Sequence, residues 1–213
     1  MVDGGSDQRG SASPVIGRDA DLGFIGSFLD RAAIEGGALL MSGDAGVGKT
    51  LLLEMAAAQA AAAGTEVLWA VGAEFEADLS FAGLNQVLRT IAANGSNSDL
   101  AIFLNDNIAD GRDVSWIWDV DFELLEGKTR SVTVSGLRAW DMALRLKYAG
   151  IDGQGASPHV EPEPARALKR ALRATPEGST LYVIPTYTAM LEVRDQLARW
   201  AGRGAFWEAE RRD

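Results

Sequence analysis

Leu100-Ala-Ile-Phe-Leu-Asn-Asp-Asn-Ile-Ala-Asp-Gly-Arg-Asp-Val-Ser-Trp-Ile-Trp-Asp-Val-Asp-Phe-Glu123 is the stretch that decides the fold. Its first five residues are apolar and read as a short buried strand. The strand opens into a loop with five aspartates, one glutamate and two tryptophans within residues 104–123. A buried strand ending in an acidic, glycine-containing loop places carboxylates at one end of a parallel sheet. A solvated acidic loop is the plainer reading of the same residues.

Working outward, apolar runs alternate with helical periodicity on both sides. Helices are expected at 18–35, 49–63, 81–93, 137–148, 163–174 and 188–200, with a short one at 116–125. Strands are expected at 38–42, 66–71, 100–104, 131–134, 159–161 and 180–184. Such alternation indicates an α/β fold, two Rossmann-like halves with mainly parallel sheets. The N-terminal half, which carries a phosphate loop, is the incomplete one. Residues 1–15 read as a disordered tail and 208–213 as a second tail. The polar, glycine-containing segment 94–99 reads as a linker between segments 16–93 and 100–207.

Composition bounds the chemistry. The 213 residues carry a net charge of −10 at pH 7. That balance argues against nucleic-acid binding, which needs cations to replace counterions. No apolar run approaches the roughly 20 residues that span a bilayer, so no membrane insertion is expected. The N-terminus lacks a signal peptide's basic and apolar regions, and a cytoplasmic protein is the expectation. There is no cysteine and one histidine, His159. A cysteine nucleophile cannot come from this chain.

Gly43-Asp-Ala-Gly-Val-Gly-Lys-Thr50 fits G-x-x-x-x-G-K-[ST]. Gly43, Gly46 and Gly48 let backbone N–H groups turn toward phosphate oxygens, and Lys49 adds charge for the β and γ phosphates. The Thr50 hydroxyl suits Mg²⁺, and the following helix points its N-terminus at the same anion. ATP and Mg²⁺ are the expected ligands. Asp106 or Asp119 is the candidate second carboxylate for the metal.

Two resemblances attach to these segments. Ile16-Gly-Arg-Asp-Ala-Asp-Leu22, the loop 43–50 and Gly72-Ala-Glu-Phe-Glu-Ala-Asp-Leu-Ser-Phe-Ala-Gly-Leu84 resemble the start of the ATPase domain of large LuxR-type regulators, over residues 16–92. The segment at 105–119, Ser135-Gly-Leu-Arg-Ala-Trp-Asp-Met-Ala-Leu-Arg-Leu-Lys-Tyr-Ala-Gly150 and Leu181-Tyr-Val-Ile-Pro-Thr-Tyr-Thr-Ala-Met-Leu191 resemble the C-terminal, Mur-ligase-like domain of MurT-type subunits of lipid II isoglutaminyl synthase.

The second resemblance implies a heterodimer with a GatD-type glutaminase, and ATP-dependent amidation of D-glutamate in lipid II, a peptidoglycan precursor. It also implies that one loop aspartate completes the partner's Cys-His pair. Asp113 is the first choice and Asp110 the second. A complete subunit of that family also has its own ATP loop, a central domain and a zinc ribbon, which this sequence lacks. The expectation is therefore a fusion of two partial families that does not make the amide alone. The alternatives are an ATP-binding fragment of a LuxR-type regulator and a non-functional fusion. Arg138, Arg145 and Lys147 suit contact with the acidic loop or a partner, with a solvated face the plainer reading; His159 is read as an exposed or half-buried strand residue, and Thr186, Tyr187 and Thr188 as polar groups at a strand end, with Tyr187 equally suited to capping the core.

Overall fold

A computed structural model describes residues 17–72, 81–93, 97–151 and 157–202. The expected tails, and most of the Gly72 to Leu84 motif, lie outside the described residues. The chain divides into two compact units, residues 1–67 and 68–213.

The second unit is built on one sheet. Its strands are β1 (Ser98–Phe103), β2 (Thr129–Ser135), β3 (His159–Val160) and β4 (Leu181–Pro185). Their order is β3-β2-β1-β4, and every pairing is parallel. All six residues of β1 are buried, as expected of a central parallel strand covered on both faces. Leu100, Ile102 and Leu104 join one core, and Ala101 and Phe103 join the other. Helices α3 (Ala82–Ala93) and α4 (Ala139–Tyr148) cover the first face with Leu88, Ile91, Met142 and Leu146. Helices α5 (Pro164–Ala174) and α6 (Tyr187–Trp200) cover the second with Ala167, Leu168, Ala171, Ala189 and Val193.

Local chemistry explains the helix ends. Pro164 opens α5 with its fixed φ, and the Glu163 carboxylate accepts from the N–H groups of Ala165 and Arg166 at 3.1 and 3.0 Å. The α/β class and the parallel sheet follow the sequence reading. The boundary at 94–99 does not: α3 belongs to the second unit, and its Leu88 and Ile91 are fully buried there. The expected helix at 116–125 is instead two 3₁₀ turns, Ser115–Trp118 and Phe122–Leu125. Val114, Ile117 and Val120 are buried three residues apart, the period of a 3₁₀ rather than an α-helix.

The first unit contains α1 (Asp19–Glu35) and α2 (Lys49–Ala62), with Ile25 and Leu52 buried. Residues 38–42, expected as a strand, form none, and Leu40 is 89% exposed. Residues 66–71, at the junction of the units, also form no strand. A strand must pair its backbone N–H and C=O groups. A two-stranded pairing alone is marginal, and the described residues supply neither segment with a third strand.

Candidate functional site

In the sheet order, the chain runs from β1 outward through β2 to β3 and then returns to β4 on the other side of β1. The crevice beyond the carboxyl ends of β1 and β4 is therefore a topological switch point, where open α/β sheets bind ligands. The acidic loop leaves β1 there, and α6 starts there after β4. Leu104 N–H donates to Ser135 O and Thr186 N–H to Phe103 O, each at 2.9 Å, which extends the ladders to the rim.

Asn105 is the hub of the rim, and it is buried. Its backbone N–H donates to Thr186 Oγ1 at 3.1 Å, and its Nδ2 donates to Thr188 Oγ1 at 3.0 Å and Glu192 Oε1 at 3.3 Å. Its Oδ1 accepts from Leu137 N–H at 3.0 Å. One side chain thereby ties β1 to the starts of both α4 and α6. Gly136 is required beside it: φ is +93°, and a Cβ there would lie 2.5 Å from Leu104 O and 2.7 Å from Asn105 Oδ1.

Asp110 is spent on the fold. Its Oδ1 accepts from Thr188 N–H at 2.7 Å and its Oδ2 from the Thr188 hydroxyl, so it caps α6 from a distant loop. Burial pushes the carboxyl up, but the Thr188 hydroxyl and N–H, with Asn107 and Thr186, outweigh this and hold it below the usual aspartate value. Asp106 pairs with Arg138 at 3.1 Å, and Arg138 also grips Asp141 at 2.7 and 3.0 Å. The hydrogen bonds to Asp141 and Asp106 raise the Arg138 pKa further above its ordinary value.

Asp113 differs. It is exposed, and its Oδ1 accepts from Ser115 N–H at 2.8 Å, two residues ahead. That short-range bond is an Asx turn. The Ser115 N–H, then its hydroxyl, lowers the Asp113 pKa, so the group is a carboxylate at neutral pH. The turn fixes one oxygen and leaves the carboxylate facing solvent.

Arg145 corrects the expectation of a solvated face. It is 3% exposed. It donates to Ile117 O at 3.0 Å, Val120 O at 2.8 Å and Glu123 Oε2 at 2.8 Å, and its guanidinium lies over Trp118 and Phe122. Arg145, foremost by its hydrogen bond, lowers the Glu123 pKa. This arginine staples the 3₁₀ turns to α4. The signal for it was its position on α4, three residues after Met142 and one before Leu146, on the helix's inner face. Asn105 carried no such signal, because a buried asparagine at a strand end looks like any polar loop residue. His159 is half-buried in β3, as read. Thr186 and Thr188 lie at the rim, as their place after a strand suggested.

In the first unit, Gly46 and Gly48 have φ of +80° and +88°, and a Cβ on either would meet nothing within 4 Å. Their role is conformation, not space. Lys49 Nζ folds back to donate to Gly43 O at 2.9 Å and Asp44 O at 2.7 Å. Arg18, Asp21, Phe24, Leu39, Val47 and Lys49 line an open cleft of ≈ 240 Å³. The exposed Thr50 lies in the first turn of α2, and the backbone turn, the two cations and the helix N-terminus fit a phosphate group. Among the described residues no three His, Cys, Asp or Glu side chains gather to hold a metal. None of the described helices is long and apolar enough to cross a membrane.

Residues 81–190, just over half of the chain, match the model of the MurT ligase C-terminal family. The chain is 36% identical over 119 residues to the lipid II isoglutaminyl synthase (glutamine-hydrolyzing) subunit MurT of Staphylococcus aureus strain COL, a match covering 55% of this chain and 26% of that protein. It is 32% identical over 119 residues to the subunit of the same name of Streptococcus pneumoniae strain R6, covering 54% of this chain and 25% of that protein. The chain thus spans about a quarter of the length of these curated relatives. The family match contains the whole sheet, the acidic loop, Asn105 and Asp113, and leaves the loop at 43–50 outside it. The chain belongs to the MurT ligase C-terminal family.

Proposed function

We propose that this chain supplies a carboxylate to a glutaminase site completed by another subunit. Together with that GatD-type glutaminase it would serve ATP- and glutamine-dependent amidation of D-glutamate in lipid II. The observation that carries the reading is the state of Asp113: exposed, ionised and fixed by an Asx turn. The chain has no cysteine, so the nucleophile belongs to the partner. In that site a thiolate would attack the glutamine side-chain amide carbon, ammonia would leave, and water would then hydrolyse the thioester to glutamate and free the thiolate. A carboxylate bonded to the partner's imidazole holds its tautomer and stabilises the imidazolium during proton transfer. Asp110 is the weaker choice for this role, because both of its oxygens are engaged at α6.

ATP enters this reading through the loop at 43–50. Gly43, Gly46 and Gly48 would turn N–H groups to the phosphates, and Lys49 would exchange its two carbonyl partners for phosphate oxygens. Thr50 would hold Mg²⁺, which neutralises phosphate charge. Asp106, the expected second carboxylate, is paired with Arg138 in the second unit.

The test is glutamine hydrolysis by a purified GatD-type glutaminase with and without the chain. Stimulation by the wild-type chain is expected. No change in turnover at saturating chain would contradict the proposal. Stimulation that persists unchanged in Lys49→Ala would separate the ATP reading from the glutaminase reading.

A further inference from the structure

Helix α5 is a strongly basic element in an acidic chain. The 213 residues carry a net charge of −10, yet Pro164–Ala174 holds four cations and no carboxylate. Arg166, Lys169, Arg170 and Arg173 recur at i, i+3, i+4 and i+7, which places all four on one helix face. All four are exposed, and the opposite face buries Ala167, Leu168 and Ala171. Among the described residues only Arg166 has an ion-pair partner, Glu163 at 3.6 Å, and that carboxylate is already engaged as the cap of α5. The stripe therefore keeps most of its charge facing outward.

Exposed apolar side chains stand in the same layer. Leu172 of α5 and Leu197 and Trp200 of α6 are each 43–46% exposed, and the two helices cover the same face of the sheet. Cations interleaved with leucine and tryptophan are the composition of surfaces that lie at a lipid–water boundary. The cations meet anionic headgroups and the apolar groups reach the acyl border. The charge elsewhere in the chain orients the approach. Charge interactions fade beyond about 8 Å at physiological salt, so an anionic surface attracts this face and repels the acidic remainder. The sheet separates this face from the acidic loop, whose Ile117, Val120 and Phe122 pack in the core of the opposite face. The loop and the basic layer can thus each meet a different neighbour at once.

We propose that the α5–α6 layer is a peripheral docking surface for a bilayer that bears anionic lipid. A bilayer is favoured over nucleic acid because the relatives are named for a reaction on lipid II, and because exposed leucines gain nothing against a phosphodiester backbone. The purpose rests on the lipid II reading proposed above: the surface holds the chain where a lipid-carried substrate lies. Each Lys or Arg near an anionic surface contributes roughly fivefold in binding. Four of them give a reversible attachment, and the substrate supplies the second hold that stable residence at a membrane needs.

The test is flotation of the full chain with vesicles of equal parts phosphatidylglycerol and phosphatidylcholine, and with vesicles of phosphatidylcholine alone. Binding to the anionic vesicles only, weakened by added salt, is expected. Lys169→Gln with Arg170→Gln and Arg173→Gln should weaken it by more than about tenfold. The same variant should stimulate a GatD-type glutaminase in lipid-free solution as the wild type does. The three side chains face solvent, so the variant should melt with the wild type, and Leu172→Ser with Trp200→Ser is an independent lesion that should also weaken binding. Equal binding by the wild type and both variants, or no binding by the wild type, overturns the surface and leaves the glutaminase reading standing. Equal binding to both kinds of vesicle overturns it as well. Tighter retention of duplex DNA than of anionic vesicles at the same salt makes nucleic acid the occupant and overturns the proposal. Charge-dependent vesicle binding by a chain that never stimulates the glutaminase upholds the surface and contradicts the proposed function alone.

Discussion

Two loops carry the candidate chemistry of this molecule, and they are supported very differently. The loop at 43–50 matches a phosphate-binding pattern residue for residue, yet no described strand stands behind it, and its lysine is turned onto its own carbonyls. The loop at 104–123 matches no short pattern. It leaves the central strand of a four-stranded parallel sheet and is tied to α4 and α6 by Asn105, Asp110, Arg138 and Arg145. Placement of a chemical group depends on the elements behind it more than on the motif that carries it.

Core substitutions give the widest contrast. Leu88→Ala should cost about 2–5 kcal/mol, because the residue is fully buried against the sheet. Leu40→Ala should stay within about 0.5 kcal/mol, because residue 40 is solvent-facing. Denaturant unfolding followed by separate probes in the two units measures both. Equal losses would mean that residues 38–42 are packed as a strand after all.

A smaller effect concerns the capping carboxylate. Asp110→Ala should destabilise the second unit by about 1–2 kcal/mol through loss of the α6 cap. The pH dependence has a defined sign. The folded pKa of Asp110 lies below its ordinary value of 3.8. Its contribution is thus fully present above 3.8 and disappears as pH falls through the depressed folded value. Wild type and Asp110→Ala should converge in stability in acid and separate toward neutral pH. A constant gap across that range would assign the effect to packing instead of charge.

The contrast also explains which features could be read before the structure. Two strands of the second unit were visible because 100–104 and 181–184 are continuous apolar runs, as expected in a parallel sheet covered by helices. The run at 38–42 has the same local pattern, but pairing depends on neighbours that local pattern does not encode. The acidic loop showed its carboxylates but not their division of labour. Asp110 and Asp113 differ by three positions, and only the approach of Thr188, 78 positions beyond Asp110, separates a cap from an outward-facing group. Arg145 was misread because a charged residue on a helix is usually solvated, whereas this one satisfies two backbone carbonyls and a carboxylate.

The most direct test is a paired measurement of glutamine turnover by a GatD-type glutaminase saturated with Asp113→Asn or Asp110→Asn chain. Asparagine keeps the shape of each side chain and removes its charge. Asp113→Asn should lower kcat by roughly 10²–10⁴-fold, the scale of losing the carboxylate behind a catalytic imidazole, with unchanged thermal stability. Asp110→Asn should lower stability and leave kcat within a few-fold. Full turnover with Asp113→Asn, or a loss of turnover that follows Asp110 instead, would contradict the account.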